Sequence, residues 1–236
     1  PDWEAASRAT AAQSTLVLAD TSSARILRAK IGRALLGARL MEGPTRVESR
    51  RQENEAGTLI EAAHNGYEKL FGLTHRRRLF LYEGGEELRG EDMLVTSEAP
   101  SGFMARLRPR AQAELLPFTI RFHLHPEARA SLAHDGSNVL VMLANGEGWQ
   151  FRAAGAGGTS DITLEESVYL GSGEPARRSE QIVVTGTVLR GAAKVNWAWK
   201  RLSSRNHSKS APAPLPELPD LDVPPASPEV PSPDDE

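Results

Sequence analysis

The sequence has no cysteine. That removes disulfides, thiolate nucleophiles and cysteine metal sites together, but leaves the compartment open, because many exported bacterial proteins also lack cysteine. No apolar run approaches the roughly 18 residues of a membrane span. The longest, Val139 to Ala144, is strand length. There is no initiator methionine: the chain starts at Pro1 and shows neither the n-region nor the h-region of a signal peptide. It is therefore expected to be the C-terminal part of something longer, with any export signal upstream; such a signal would place the protein in the periplasm or cell envelope. No glycine-rich phosphate loop follows a strand, and no G-x-S-x-G elbow or H-E-x-x-H helix occurs.

Basic residues are missing from the last stretch, Ala211 to Glu236, which carries seven acidic residues. The formal charge of −3 thus hides a preceding part of 28 basic and 24 acidic residues. The tail is dense in proline and has no apolar periodicity, so it cannot bury enough surface to offset the entropy of ordering. The expected organisation is one folded domain over 1–204 and a disordered, proline-rich acidic tail over 205–236. Neither the mild positive charge of the folded part nor any motif in it supports a nucleic-acid partner.

What the folded part does have is a period of two. In T-I-R-F-H-L-H-P, Ile120, Phe122 and Leu124 point one way and Arg121, His123 and His125 the other. In K-V-N-W-A-W-K-R, Val195, Trp197 and Trp199 oppose Asn196, Ala198 and Lys200. Further strands are expected at Ser14–Ala19, Thr45–Gln52, Gly57–His64, Val139–Leu143, Trp149–Ala153, Ile162–Tyr169 and Gln181–Leu189. Turn signals punctuate them at Asp135-Gly136, Asn145-Gly146, Gly171-Ser172-Gly173 and Arg190-Gly191. Only Ala29 to Met41 has a helix-like pattern. About ten or more short strands with half-polar faces predict an all-β fold, an antiparallel β-sandwich.

The densest chemistry lies between Ala62 and Asp92. His64-Asn65-Gly66-Tyr67 is expected to close one strand and His75-Arg76-Arg77-Arg78 to open the next, with Gly84-Gly85 supplying the positive φ angles of a hairpin turn. Arg77 shares a face with His75, while Arg76 and Arg78 share the face of Phe80 and Tyr82. One set suits an acidic sugar, and the other pairs with Glu83, Glu86, Glu87 or Asp92. His123 and His125, two apart on one strand face, have a spacing that could share a metal; the simpler expectation is that both decorate the solvent face. His64 and His75, at strand ends near turns, are candidate binding residues; a buried histidine hydrogen-bonded to backbone fits them equally well.

Several stretches together resemble the C-terminal region of the heparinase II/III-like family, especially its alphaproteobacterial members. They are RATAAQSTLVLADTSSA (Arg8 to Ala24), AAHNGYEKLFGLTHRRRLFL (Ala62 to Leu81), LRGED (Leu88 to Asp92), PFTIRFHLHP (Pro117 to Pro126), EESVYLGSGEPARRSEQIVVTG (Glu165 to Gly186) and VNWAWKR (Val195 to Arg201). The resemblance covers roughly residues 3–201 and omits the tail. It implies a polysaccharide lyase built from an N-terminal helical toroid, lying outside this chain, and a C-terminal β-sandwich. Such enzymes cleave anionic, uronic-acid-containing polysaccharide by β-elimination, with donors neutralising the sugar carboxylate and a tyrosine or histidine moving the proton. The resemblance marks His64, Tyr67, His75 and Arg77 as candidate substrate-facing or junction residues. Where members commonly carry a histidine associated with a metal site, R-A-T-A-A-Q-S-T has Gln13, a neutral and poor zinc ligand. No metal and no cofactor is therefore expected. The alternative is a non-catalytic relative whose sandwich serves carbohydrate binding or envelope assembly.

Overall fold

The computed structural model describes residues 3–26, 40–97, 115–155, 161–171, 175–189 and 191–202. They form fourteen strands: β1 (Leu16–Leu18), β2 (Arg25–Ile26), β3 (Leu40–Glu42), β4 (Val47–Asn54), β5 (Gly57–His64), β6 (Leu73–Tyr82), β7 (Glu87–Thr96), β8 (Leu116–His123), β9 (Arg129–Leu132), β10 (Val139–Met142), β11 (Gly148–Gly155), β12 (Asp161–Tyr169), β13 (Arg177–Val188) and β14 (Ala193–Arg201). Two short helices, α1 (Trp3–Ser7) and α2 (Glu68–Phe71), and a 3-10 turn at Thr10–Ala12 complete the described elements. The expected helix over 29–41 lies outside the described residues except for its last two, which belong to β3. The acidic tail, 205–236, also lies outside them.

The strands pair into a four-stranded antiparallel sheet of order β1-β8-β13-β12 and an eight-stranded one of order β4-β5-β6-β7-β14-β11-β10-β9. This is the β-sandwich that the period-two pattern predicts. One face of each sheet supplies the core: Phe118, Ile120, Phe122, Ile182 and Val184 from the small sheet meet Leu94, Val195, Trp197, Phe151 and Val139 from the large one. Phe122 packs against Phe151 and Trp197 at centroid separations of 4.8 and 4.9 Å. Tilted and edge-on aromatic contacts of this kind add to what simple area burial contributes. The large sheet extends past the small one. Val47 and Ile60, on the inward side of β4 and β5 by register with His64 and Leu79, stay exposed.

The β6–β7 hairpin turns through Glu83–Glu86, and its register follows from that turn. Only Gly85 takes a positive φ, +64°, not both glycines as expected. A four-residue loop, closed by the Gly85 N–H donating to the Tyr82 carbonyl at 2.8 Å, needs one left-handed residue where a two-residue turn would need two. Upstream, β5 ends at His64, so Asn65–Tyr67 leave the strand and lead into α2, and His75 lies two positions inside β6.

Candidate functional site

Cross-strand pairing gathers the candidate residues on the inward face of the large sheet. Register sets His64 opposite His75 across β5 and β6, and Arg77 opposite Asp92 across β6 and β7. Asp92 in turn pairs with Val195 of β14, next to Trp197.

The side chains form one chain of hydrogen bonds. The Gly66 N–H donates to His64 Nδ1 at 3.2 Å, which leaves the proton of the neutral ring on Nε2. That Nε2 lies 3.2 Å from His75 Nδ1, and His75 Nε2 lies 2.7 Å from Asp92 Oδ1. The assignment is self-consistent: each imidazole accepts on Nδ1 and donates from Nε2, ending on a carboxylate. Arg77 grips the same carboxylate with two bonds, Nε to Oδ1 at 2.8 Å and Nη2 to Oδ2 at 2.9 Å. Trp197 Nε1 donates to Oδ2 at 2.8 Å. Both oxygens of Asp92 are thus doubly satisfied, which is what a carboxylate only 1% exposed requires.

Two further bonds run to the small sheet's edge. Arg77 Nη1 donates to the Ser14 carbonyl at 2.6 Å, and the Tyr67 hydroxyl donates to the Leu16 carbonyl at 2.9 Å. The network therefore joins the segment entering β1 to β5, β6, β7 and β14, and ties the two sheets together at one end of the core.

Close approach makes this possible. A Cβ on Gly90 would lie 2.1 Å from the Trp197 ring, so only glycine lets the indole lie flat over β7 and reach Asp92. A Cβ on Gly66 would meet the Ser23 carbonyl at 2.7 Å and His64 Nδ1 at 3.0 Å.

The electrostatics follow the geometry. Burial alone would raise the Asp92 carboxyl, but the hydrogen bond from His75 and the charge of Arg77 outweigh it and hold it at about 2. Burial, aided by the neighbouring His75, pushes His64 down from 6.5 to about 4. Burial pushes the Tyr67 phenol up to about 12. Tyr67 is fully buried and its hydroxyl is committed to a backbone carbonyl.

The structure thus brings all four expected residues, His64, Tyr67, His75 and Arg77, into one cluster and adds Asp92, Trp197 and Gly90 to it. Arg78, on the opposite face, pairs with Glu61 and Glu91 rather than with the hairpin carboxylates. His123 is half-buried on the solvent face and partly covered there: Nδ1 lies 2.9 Å from Ser167 Oγ and Nε2 lies 3.0 Å from the Ala11 carbonyl of the N-terminal segment. His125 is exposed and packs edge-on against Tyr169. Gln13 directs its amide nitrogen to the Ser7 carbonyl, both His123 nitrogens are engaged, and no group of three metal-ligating side chains occurs among the described residues. The described side chains do not fit a metal there.

Comparison with known proteins places this cluster in a family. Residues 1–198 match the family described as heparinase II/III-like, C-terminal. FtsZ-localized protein C of Caulobacter vibrioides is 39% identical over 191 residues, which are 79% of this chain and 30% of that protein. The crystal structure of heparan sulfate lyase HepC from Pedobacter heparinus superposes with a TM-score of 0.60 at 10% identity, covering 84% of this chain and 25% of the lyase. A heparinase III, the BT4657 gene product, gives 0.57 at 11% identity over 83% of this chain and 24% of its own. At these identities the solved structures establish the fold. The chain spans about a quarter to a third of the length of each. The sandwich topology, the motif-bearing strands and the family match agree, and the chain belongs to the heparinase II/III-like family as its C-terminal region.

Proposed function

We propose that this chain is the sandwich of a polysaccharide lyase that acts on uronic-acid-containing polysaccharide by β-elimination, with its proton-transfer groups on an upstream helical toroid. The observation that carries this reading is the buried network. A base for the C5 proton needs a nitrogen or phenolate open to substrate. His64, His75 and Tyr67 each spend their polar atoms on protein partners. The sandwich is therefore built to hold and position, and His64, Tyr67, His75 and Arg77 act as positioning residues at the junction with the rest of the protein. The elimination itself is supported by family membership and by the lyase fold of the structural relatives. The test is to incubate the full-length protein carrying this chain with alginate, polygalacturonate, heparin and hyaluronan, following the ultraviolet absorbance of the unsaturated uronate. A rise with one of them identifies the substrate; no rise with any refutes the reading.

A second reading is favoured by two specific observations. The curated relative is named for localisation with FtsZ, and Gln13 stands where the family's histidine is expected. On that reading the sandwich is a non-catalytic envelope module that binds carbohydrate or assembles at the division site. Polysaccharide binding without any product, together with midcell placement of a fluorescent fusion, would select it.

A further inference from the structure

We infer that two copies of this chain pair antiparallel through strand β4, with Ser49 on the two-fold axis, and so join their large sheets edge to edge.

β4 is the terminal strand of the eight-stranded sheet, and β5 is its one strand neighbour among the described residues. Its residues are exposed, apart from the half-buried Gln52. The Asn65 N–H donates to the Arg46 carbonyl at 3.2 Å, which fixes the alternation of the β4–β5 ladder. Arg46, Glu48, Arg50 and Gln52 therefore direct their backbone groups at β5, while Val47, Ser49, Arg51 and Glu53 turn theirs outward. An open row of donors and acceptors is a template for another strand.

Charged side chains ordinarily protect such an edge by repelling a second one. On β4 the charges complement each other in one register. A two-fold axis perpendicular to the sheet keeps each side chain on its own face, so residues that meet are an even number of positions apart. Centring on Ser49 sets Glu48 against Arg50 of the second copy and, by symmetry, Arg50 against its Glu48. These are non-hydrogen-bonded pairs, the kind whose side chains lie closest. Val47 meets the stem of Arg51, and no like charges are opposed. Centring on Glu48, Arg50 or Arg51 instead sets that charge against its own copy. Centring on Gln52 sets Arg51 against Glu53, which already pair within one chain. Arg50 has no ion pair among the described residues, and the Glu61 carboxylate opposite it on β5 is taken by Arg78. Glu48 is held by Arg46 at 3.7 Å, a contact between two exposed groups that a second copy displaces at little cost.

The join also engages the part of the large sheet that the small one leaves uncovered. Val47, Ile60 and Ala62 lie on its inward side and stay exposed. In the pair the two overhangs become one floor, and the row Arg77–Ala62–Ser49 continues into Ser49–Ala62–Arg77 of the second copy. The two histidine–arginine clusters then stand on the same floor about 24 Å apart, five strand spacings.

The chain has no cysteine, so Ser49→Cys introduces its sole thiol. Directly opposed residues of a hydrogen-bonded antiparallel pair have Cα atoms about 5.5 Å apart, within reach of a disulfide. Oxidised glutathione should convert Ser49→Cys to a covalent dimer under conditions where Gln52→Cys, at the centre of the other register, stays monomeric. Sedimentation velocity over a concentration series of the whole chain reads the reversible association. Glu48→Arg should weaken it about tenfold or more, and adding Arg50→Glu should restore it, because the swap rebuilds the same pairs with their signs reversed. Unaltered circular dichroism verifies that each variant is folded. A parent chain that is monomeric throughout the series overturns the inference. So does a double variant that associates no more tightly than Glu48→Arg alone, or faster cross-linking at position 52 than at 49. The cross-linking is repeated on the full-length protein, where a Ser49→Cys dimer supports the inference for the intact molecule. A cross-link formed by the chain and lost in the full-length protein shows β4 covered by the upstream part, and overturns it.

Discussion

Asp92 holds the most at the scale of single residues. Its carboxylate receives the buried His75 and Trp197 rings and two bonds from the half-buried Arg77. Asp92→Asn keeps the shape but removes the counter-charge, and it turns an amide N–H toward a group that also donates. Removing one partner of a buried pair costs about 3–5 kcal/mol. The expected outcome is a loss of that size in chemical denaturation, with an unchanged m-value showing that the same two states are compared. The same residues set a pH dependence. His64 binds its proton at 6.5 when unfolded and only at about 4 when folded. Between those values the unfolded state holds more protons, so stability rises with pH there and falls as acid is added, by up to about 3 kcal/mol. Asp92, ordinarily near 3.8 and held at about 2, adds a further loss as pH falls through that lower window. A melting-temperature series from pH 7 to below 4 should slope downward, and His64→Gln should flatten the upper part only.

Among the elements, the β6–β7 hairpin shows what a sequence gives away and what it keeps. Gly84-Gly85 marked the turn, and counting seven residues outward from it on either side lands on Arg77 and Asp92, the observed pair. The ion pair was therefore legible, although Asp92 stood among four possible carboxylates until the register chose it. Trp197 and Gly90 were not legible as site residues. Their contact depends on β14 lying beside β7, a pairing between segments about a hundred residues apart with no local signal. Alternation placed β5 at its observed bounds, since each of its residues has a fixed side. It missed β9, whose four residues carry no clear period, and started β13 four residues late, where Arg177–Glu180 is polar on both faces. Gly90→Ala tests this crossing. The added methyl drives into the indole, with an expected cost of about 1–3 kcal/mol and a shift in Trp197 fluorescence. The turn after β1 makes the opposite prediction. Ala19 sits at φ +45° beside Asp20 at +51°, a strained backbone for alanine, so Ala19→Gly should stabilise the chain by about 1 kcal/mol in thermal melts.

Across the whole molecule, the sandwich is asymmetric, with eight strands facing four. The shared core is continuous, aliphatic with aromatic rings at its centre, the buried network ties down one end of it, and the large sheet runs on past its partner with apolar residues still exposed. Among the described residues no helix is long and apolar enough to cross a membrane. The fold was legible because alternation and turn residues are local. The burial of His75 and Tyr67 was not, because it emerges only when the sheets stack. The measurement that bears most directly on this account compares the chain alone with the full-length protein on one uronate polysaccharide, recording binding and ultraviolet product formation together. The account predicts that both bind and only the full-length protein forms unsaturated product. Product from the chain alone, or binding by the full-length protein with no product on any uronate, would contradict it.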